Sequence, residues 1–229
     1  MEYFFRHNPD PQTNINMIGV WIFLFIYLLI IYMFRSNKNI LKTQLILVVL
    51  VEIALILWYF QDKDLFLIEG LPLYHCRIAA FMLPIFYFTK QYKLASYFAY
   101  LGVIGPLVAY SIPDPSKFMW PHITNLTYVC AHSMLLGSSL MFLFTERKLL
   151  SVNTIIKVTF IMNAIITSIN ILCGANYGYL SELPENLGVN VISPVLFVVI
   201  SLLIVITVNA LQNLIGKISA SRKKSIDKE

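Results

Sequence analysis

The chain has 229 residues, of which 58% are hydrophobic and only 13% charged, and its mean hydropathy is +0.73. A soluble domain carries about 25% charged residues, so this composition excludes an ordinary water-soluble globule. The formal charge of +5 is a small excess on an apolar chain, and it calls for a membrane surface rather than nucleic acid as its partner.

Seven apolar runs bounded by polar residues follow one another along the chain, at residues 16–34, 43–60, 72–89, 94–111, 123–144, 153–173 and 190–214. Each is close to the ~20 residues an α-helix needs to cross ~30 Å of hydrocarbon. Lipid offers no partner to a bare backbone amide, and the runs lack strand-like alternation, so helices rather than a barrel are expected. The first run follows MEYFFRHNPDPQTN, which has no basic region and is followed by no small-residue cleavage site, and so reads as a membrane span rather than a cleaved leader. The expected fold class is all-α: a polytopic seven-transmembrane-helix bundle in one domain over residues 1–214, with a basic tail over 215–229. Pro84 and Pro106, the latter after Gly102 and Gly105, fall inside the third and fourth runs and are expected to kink them around a cavity.

The basic residues set an orientation. With seven crossings, one side receives Arg35, Lys38, Lys42, Lys90, Lys93, Arg147, Lys148, Lys217, Arg222, Lys223, Lys224 and Lys228, and the other only Arg6, Lys63 and Lys117. The positive-inside asymmetry then puts the N-terminus outside and the C-terminus in the cytoplasm. Glu2, Asp10, Asp62, Asp64, Glu69, Asp114, Glu182 and Glu185 collect on the outer side.

Ionisable groups inside membrane helices are costly and usually face a cavity or a partner. Lys157 lies one turn from a helix end and is expected to snorkel. The others gather at one level: Glu52 about 12 Å below its outer helix end, Cys76 about 8 Å deep, His132 about 14 Å deep, with His75 and Arg77 beside the cysteine. A thiol becomes a nucleophile when an imidazole or other cation stabilises its thiolate. Cys76 and His132 therefore form a candidate catalytic pair, expected within about 4 Å of each other, with Glu52 as the orienting third member. His75 or Arg77 would add positive potential.

Plainer readings compete at the same residues. Membrane-helix cysteines most often serve as small apolar side chains. Cys76, Cys130 and Cys173 all fall in the outer half, where a disulfide such as Cys76–Cys173 can form, and Glu52 is at the right depth to pair simply with Arg77. Asn163, Thr167 and Asn170 make one polar stripe, readable as a pocket wall or as packing glue between helices; Asn176 and Tyr177 follow at the rim. Arg77, Asn170 and Asn176 are the candidate donors to a developing oxyanion. The cysteines and histidines lack zinc-site spacing, and no glycine-rich phosphate loop or nucleophile elbow is present, so neither metal nor cofactor is expected.

LPLYHC at the start of the third run resembles the LPLHLC-type signature of the bacterial YwaF-like integral membrane proteins. His132, in VCAHSMLLG, stands where that family carries a histidine in its fifth helix, and GANYGYLSELP, residues 174–184, resembles its N-Y-x-[FY]-L-x-x-x-P stretch. That family is similar to the eukaryotic transmembrane protein 164 acyltransferases, which move acyl chains between phospholipids through a cysteine and a histidine. The resemblance implies Cys76 as acyl-accepting nucleophile, His132 as its base, Asn176 and Tyr177 in the pocket, phospholipid or lysolipid as partner, and a multi-pass place in the bacterial cytoplasmic membrane. One departure stands out: the signature's first histidine is Tyr74 here, with a histidine at position 75, a turn of about 100° around the helix.

Two classes of function follow. In one, the chain is an acyltransferase or acyl hydrolase acting on membrane lipid. In the other it is a non-enzymatic transporter, receptor or membrane-assembly factor holding a small solute or lipid in the same pocket. The first carries the residue pattern further, because transporters often show paired repeats and none is evident here.

Overall fold

A computed structural model of the chain describes residues 3–184, 188 and 191–226, with side chains up to residue 218. Glu2, Glu185, the side chains of Arg222, Lys223 and Lys224, and Lys228 lie outside the described residues, and with them most of the expected basic tail. Among the described residues there are helices and no strands. They are α1 (Met17–Met33), α2 (Lys38–Tyr59), α3 (Lys63–Gly70, its second half a π turn), α4 (His75–Phe88), α5 (Tyr92–Ser111), α6 (Ile123–Thr145), α7 (Val152–Cys173) and α8 (Ser193–Ile226).

Local chemistry sets most helix ends. Asn16, Asn37 and Ser151 accept first-turn amide hydrogens at the starts of α1, α2 and α7, as small polar N-caps do. Gly174 ends α7 at φ 65°, a left-handed cap that suits glycine.

Five helices, α2, α5, α6, α7 and α8, are long and apolar enough to cross a membrane. The third expected crossing, at residues 72–89, departs from a straight helix. It is a bent pair, α3 and α4, meeting at 79°, and α4 alone has 14 residues, about 21 Å. The cause is Pro72: the residue before a proline is pushed out of the α region, and Leu71 is extended at φ −64°, ψ 142°. The first expected crossing is α1, apolar but only 17 residues long.

Helices α5 and α6 form the centre, with 61% of each apolar window buried against 22% for α2. The principal packing pairs are α4 with α5, α2 with α6, and α5 with α6. Large apolar side chains on the peripheral helices point outward, among them Phe25, Leu57, Ile161 and Leu172, as lipid-facing surfaces require.

The N-terminal segment is strapped across one end. Ile123 N–H donates to Phe4 O (3.1 Å) and Asp10 N–H to Lys117 O (2.8 Å). Met119 N–H donates to Asp10 Oδ2 (2.7 Å), Arg6 pairs with Asp10, and Trp58 Nε1 donates to Phe5 O (3.2 Å). His122 ties strap to bundle: Nε2–H donates to Arg6 O (3.0 Å), while Nδ1 accepts from Thr124 N–H (3.3 Å) at the start of α6.

At the opposite end, α4 closes by a two-bond turn. Gln91 N–H reaches Phe86 O (2.9 Å) and Lys90 N–H reaches Tyr87 O (3.1 Å), the Schellman pattern. The residue at its left-handed position is Lys90, at φ 61°, where a non-glycine costs about 1 kcal/mol or more.

Candidate functional site

The break before α4 decides where Cys76 sits. The helix begins at His75, so Cys76 is its second residue rather than one turn inside, as the expected start at Pro72 had placed it. Tyr74, the N-cap, offers no side-chain cap. The first-turn amides are thus left without a side-chain acceptor, and Cys76 lies in that first turn. On its other flank Cys76 lies against Gly105 of α5, where an added Cβ would come 2.9 Å from Cys76 Cβ and 3.3 Å from its Cα. Only glycine lets α4 and α5 approach this closely.

His132 sits on α6, half-buried like Cys76. Its Nδ1–H donates to Tyr128 O at 2.7 Å. The imidazole therefore keeps Nε2 as an open lone pair, since one ring hydrogen-bond fixes the tautomer of the other nitrogen. Its ring meets those of Tyr128 (4.9 Å) and Tyr110 (5.6 Å). Among the described residues no hydrogen bond joins the thiol and the imidazole directly. Cys76, Cys130 and Cys173 are all free thiols, so the disulfide reading is not realised.

The Glu52 expectation needs correction. Its carboxylate accepts from Arg77 Nε at 2.8 Å, both side chains being buried, and the Tyr128 carbonyl takes the orienting place at His132 Nδ1 that was expected of Glu52. A buried carboxylate needs a partner wherever the nearest cation lies, and that cation is Arg77. The pair is still close enough to act electrostatically on both Cys76 and His132.

Arg77 is also spent rather than open to a ligand. Nη1 donates to Glu69 O (3.0 Å) and Leu71 O (3.1 Å), and Nη2 to Gly70 O (3.2 Å). The guanidinium caps the carbonyls that the end of α3 leaves free and holds the bend. This double duty explains why an arginine follows the cysteine.

His75 turns toward α7. Nε2–H donates to Asn163 Oδ1 (2.8 Å), and Asn163 Nδ2 donates to Ser201 Oγ of α8 (2.8 Å), which links three helices. A Cβ on Gly178 would fall 2.7 Å from the His75 ring, so the 174–180 loop closes directly over it. His75 packs on α7 and this loop, and the side chain at Tyr74 meets the rings of Tyr177 (5.4 Å) and Tyr179 (5.9 Å). The remaining rim residues hold the loop together. Asn170 accepts from Tyr177 N–H (2.9 Å) and donates to Tyr177 O (3.0 Å). Tyr177 is buried, its hydroxyl accepting from Leu71 N–H (3.0 Å) and donating to Leu67 O (3.1 Å). Asn176 donates to Glu182 O (3.0 Å) and accepts from Ser181 and Glu182 amides. Arg77, Asn170 and Asn176, the expected oxyanion donors, each give side-chain hydrogens to partners within the protein. The polar stripe works mainly as glue, though the Thr167 hydroxyl is buried without a partner.

Sequence reasoning missed the two tyrosines beside His132, Tyr110 and Tyr128, and the position of Cys76 in an uncapped first turn. The non-capping residue Tyr74 and the preceding Leu-Pro were the available signals for the latter. No comparable signal marked the tyrosines, because a tyrosine in an apolar run reads as core.

The helices and the polar level they enclose define a multi-pass α-helical membrane protein with a cysteine and a histidine in its interior. More specifically, the chain belongs to the TMEM164 family, whose model matches residues 8–212. No curated protein and no solved structure matches it.

Proposed function

We propose that the chain is an intramembrane lipid acyltransferase, or an acyl hydrolase, with Cys76 as nucleophile and His132 as general base. The observation that carries this reading is the free Cys76 thiol in the first turn of α4, whose N-cap residue supplies no side-chain acceptor to the first-turn amides. A helix N-terminus stabilises a thiolate and a developing oxyanion by the same dipole and the same donors.

His132 Nε2 accepts the thiol proton, and the sulfur attacks the ester carbonyl of a phospholipid. As the tetrahedral intermediate collapses, the imidazolium returns the proton to the departing lysolipid oxygen, leaving an acyl thioester on Cys76. A hydroxyl acceptor, a second lysolipid or water, is then deprotonated by His132 and takes the acyl group, regenerating the thiol. The Tyr128 carbonyl performs the orienting task a carboxylate performs in a triad. Counting α1 and the bent α3–α4 pair as crossings gives seven, with the N-terminus outside and the basic loops at the cytoplasmic face of a bacterial membrane.

The test supplies purified protein with isotope-labelled phospholipid and follows adducts by mass spectrometry. The expected result is a hydroxylamine-labile acyl group on Cys76, absent from Cys76→Ala, with transfer slowed about 10²–10⁴-fold in His132→Ala. Full transfer by Cys76→Ser would remove the nucleophile assignment.

A further inference from the structure

The end of the bundle away from Cys76, about 20 Å along α4, carries an open cavity of about 370 Å³ lined by Lys90, Gln91, Tyr92, Lys93, Leu94 and Lys148. Three lysines, Lys90 of the α4–α5 turn, Lys93 in the first turn of α5 and Lys148 of the α6–α7 connection, share its wall. Among the described residues none of the three has an acidic partner. The nearby carboxylate, Glu146, is already neutralised by Lys38 at 2.7 Å. Like charges gathered without counter-charges repel one another, so a cavity of this kind is stabilised by an anion.

Two further features point the same way. The carbonyls ending α4 are closed by the turn's own amides, whereas Gln91 gives α5 no side-chain cap, so the helix end facing the cavity is the positive one. The chain also keeps Lys90 at φ 61°, in a turn where glycine fits without strain. Strain retained at one residue suggests a use for its side chain, and here that side chain is a cation on the cavity wall.

The surroundings identify the anion's source. Phe88, two residues before Lys90, and Leu149, next to Lys148, expose 50% and 70% of their surfaces, and Ile85, one turn back on α4, exposes 47%, so exposed apolar residues for acyl chains flank the cavity lysines along the chain. We propose that this cavity binds the phosphate of an anionic phospholipid headgroup, as a lipid site separate from the Cys76 centre.

The experiment uses the full chain in neutral detergent, titrated with short-chain phosphatidylglycerol, short-chain phosphatidylcholine or inorganic phosphate, reading bound lipid by native mass spectrometry and Tm. Phosphatidylglycerol is expected to bind and raise Tm, and phosphatidylcholine to do so far less. The triple variant Lys90→Gln, Lys93→Gln, Lys148→Gln is expected to lose about a hundredfold in affinity, at roughly fivefold per cation. A control with equal charge change, Lys42→Gln, Lys157→Gln, Lys217→Gln, is expected to retain the site. Lys90→Gly separates ligand from fold: its unliganded Tm rises because strain is relieved, while its phosphatidylglycerol affinity falls. Equal losses in the triple variant and the control, an unchanged affinity in Lys90→Gly, or a full Tm shift from inorganic phosphate alone would each overturn the lipid site.

Discussion

The two ends of the α4 helix treat charge in opposite ways. At its start, Arg77 is held by Glu52 and by three backbone carbonyls, and Asn163, Asn170 and Tyr177 are likewise engaged by their neighbours. At its end, Lys90 and Lys93 stand in the open. The difference follows from where water and headgroups reach. An unpaired charge in the interior costs several kcal/mol, so the fold spends interior polar groups on one another. At the boundary the same charge costs little and can wait for a ligand. Within the interior cluster the Cys76 thiol, His132 Nε2 and the Thr167 hydroxyl are left without a hydrogen-bond partner among the described residues, and of these the thiol and the imidazole are the groups expected to do chemistry.

The comparison breaks most visibly at Arg77. Arg77→Met would strand the Glu52 carboxylate and uncap α3, at a cost of about 3–5 kcal/mol, seen as a large fall in Tm or loss of the folded monomer in size-exclusion profiles. Adding Glu52→Leu should return much of that loss, because an apolar pair of similar volume needs no counter-charge. If the double variant is no better than the single one, the pair is not the interior's main electrostatic tie.

A middle-sized effect is expected at Gly105. Gly105→Ala places a methyl 2.9 Å from Cys76 Cβ, and such overpacking costs about 1–3 kcal/mol. It should also move α4 relative to α5 and change the rate at which a small alkylating reagent reaches Cys76. An unchanged alkylation rate would show that the thiol does not depend on this helix contact.

The smallest effect belongs to the N-terminal strap, a boundary region built with interior-like pairing. Burial pushes the His122 imidazole below its ordinary range, and the Met119 amide, with Arg6, holds the Asp10 carboxyl below its own. Both folded-state values are depressed, so both contributions are present near neutral pH and are lost on acidification. His122 loosens the strap as pH falls below about 6.5, and Asp10 follows only below the ordinary carboxylate range near 3.8. Protease cleavage within residues 3–10 should therefore accelerate in two acid steps, and His122→Gln should remove the first.

How much was legible in advance varied by element. Long apolar runs made α2, α5, α6, α7 and α8 readable, because a membrane helix declares itself by composition over some twenty residues. The Glu52–Arg77 pairing was one of two open readings, since matching depth shows only that residues share a level. The orientation of His132 could not be read at all: its partner is the Tyr128 carbonyl, and a backbone atom leaves no mark in a residue pattern.

The sequence by itself determined the class of this protein, because lipid forces apolar runs into helices whatever their neighbours are. It also determined the inventory of costly polar residues, and Leu-Pro at 71–72 marked where a helix would falter. Only the tertiary structure decided which of those residues were used up and which stayed free. That choice depends on hydrogen-bond geometry over a few ångströms between helices far apart in the chain: Arg77 is consumed by Glu52 and α3, while Cys76 is left as a free thiol in the first turn of α4.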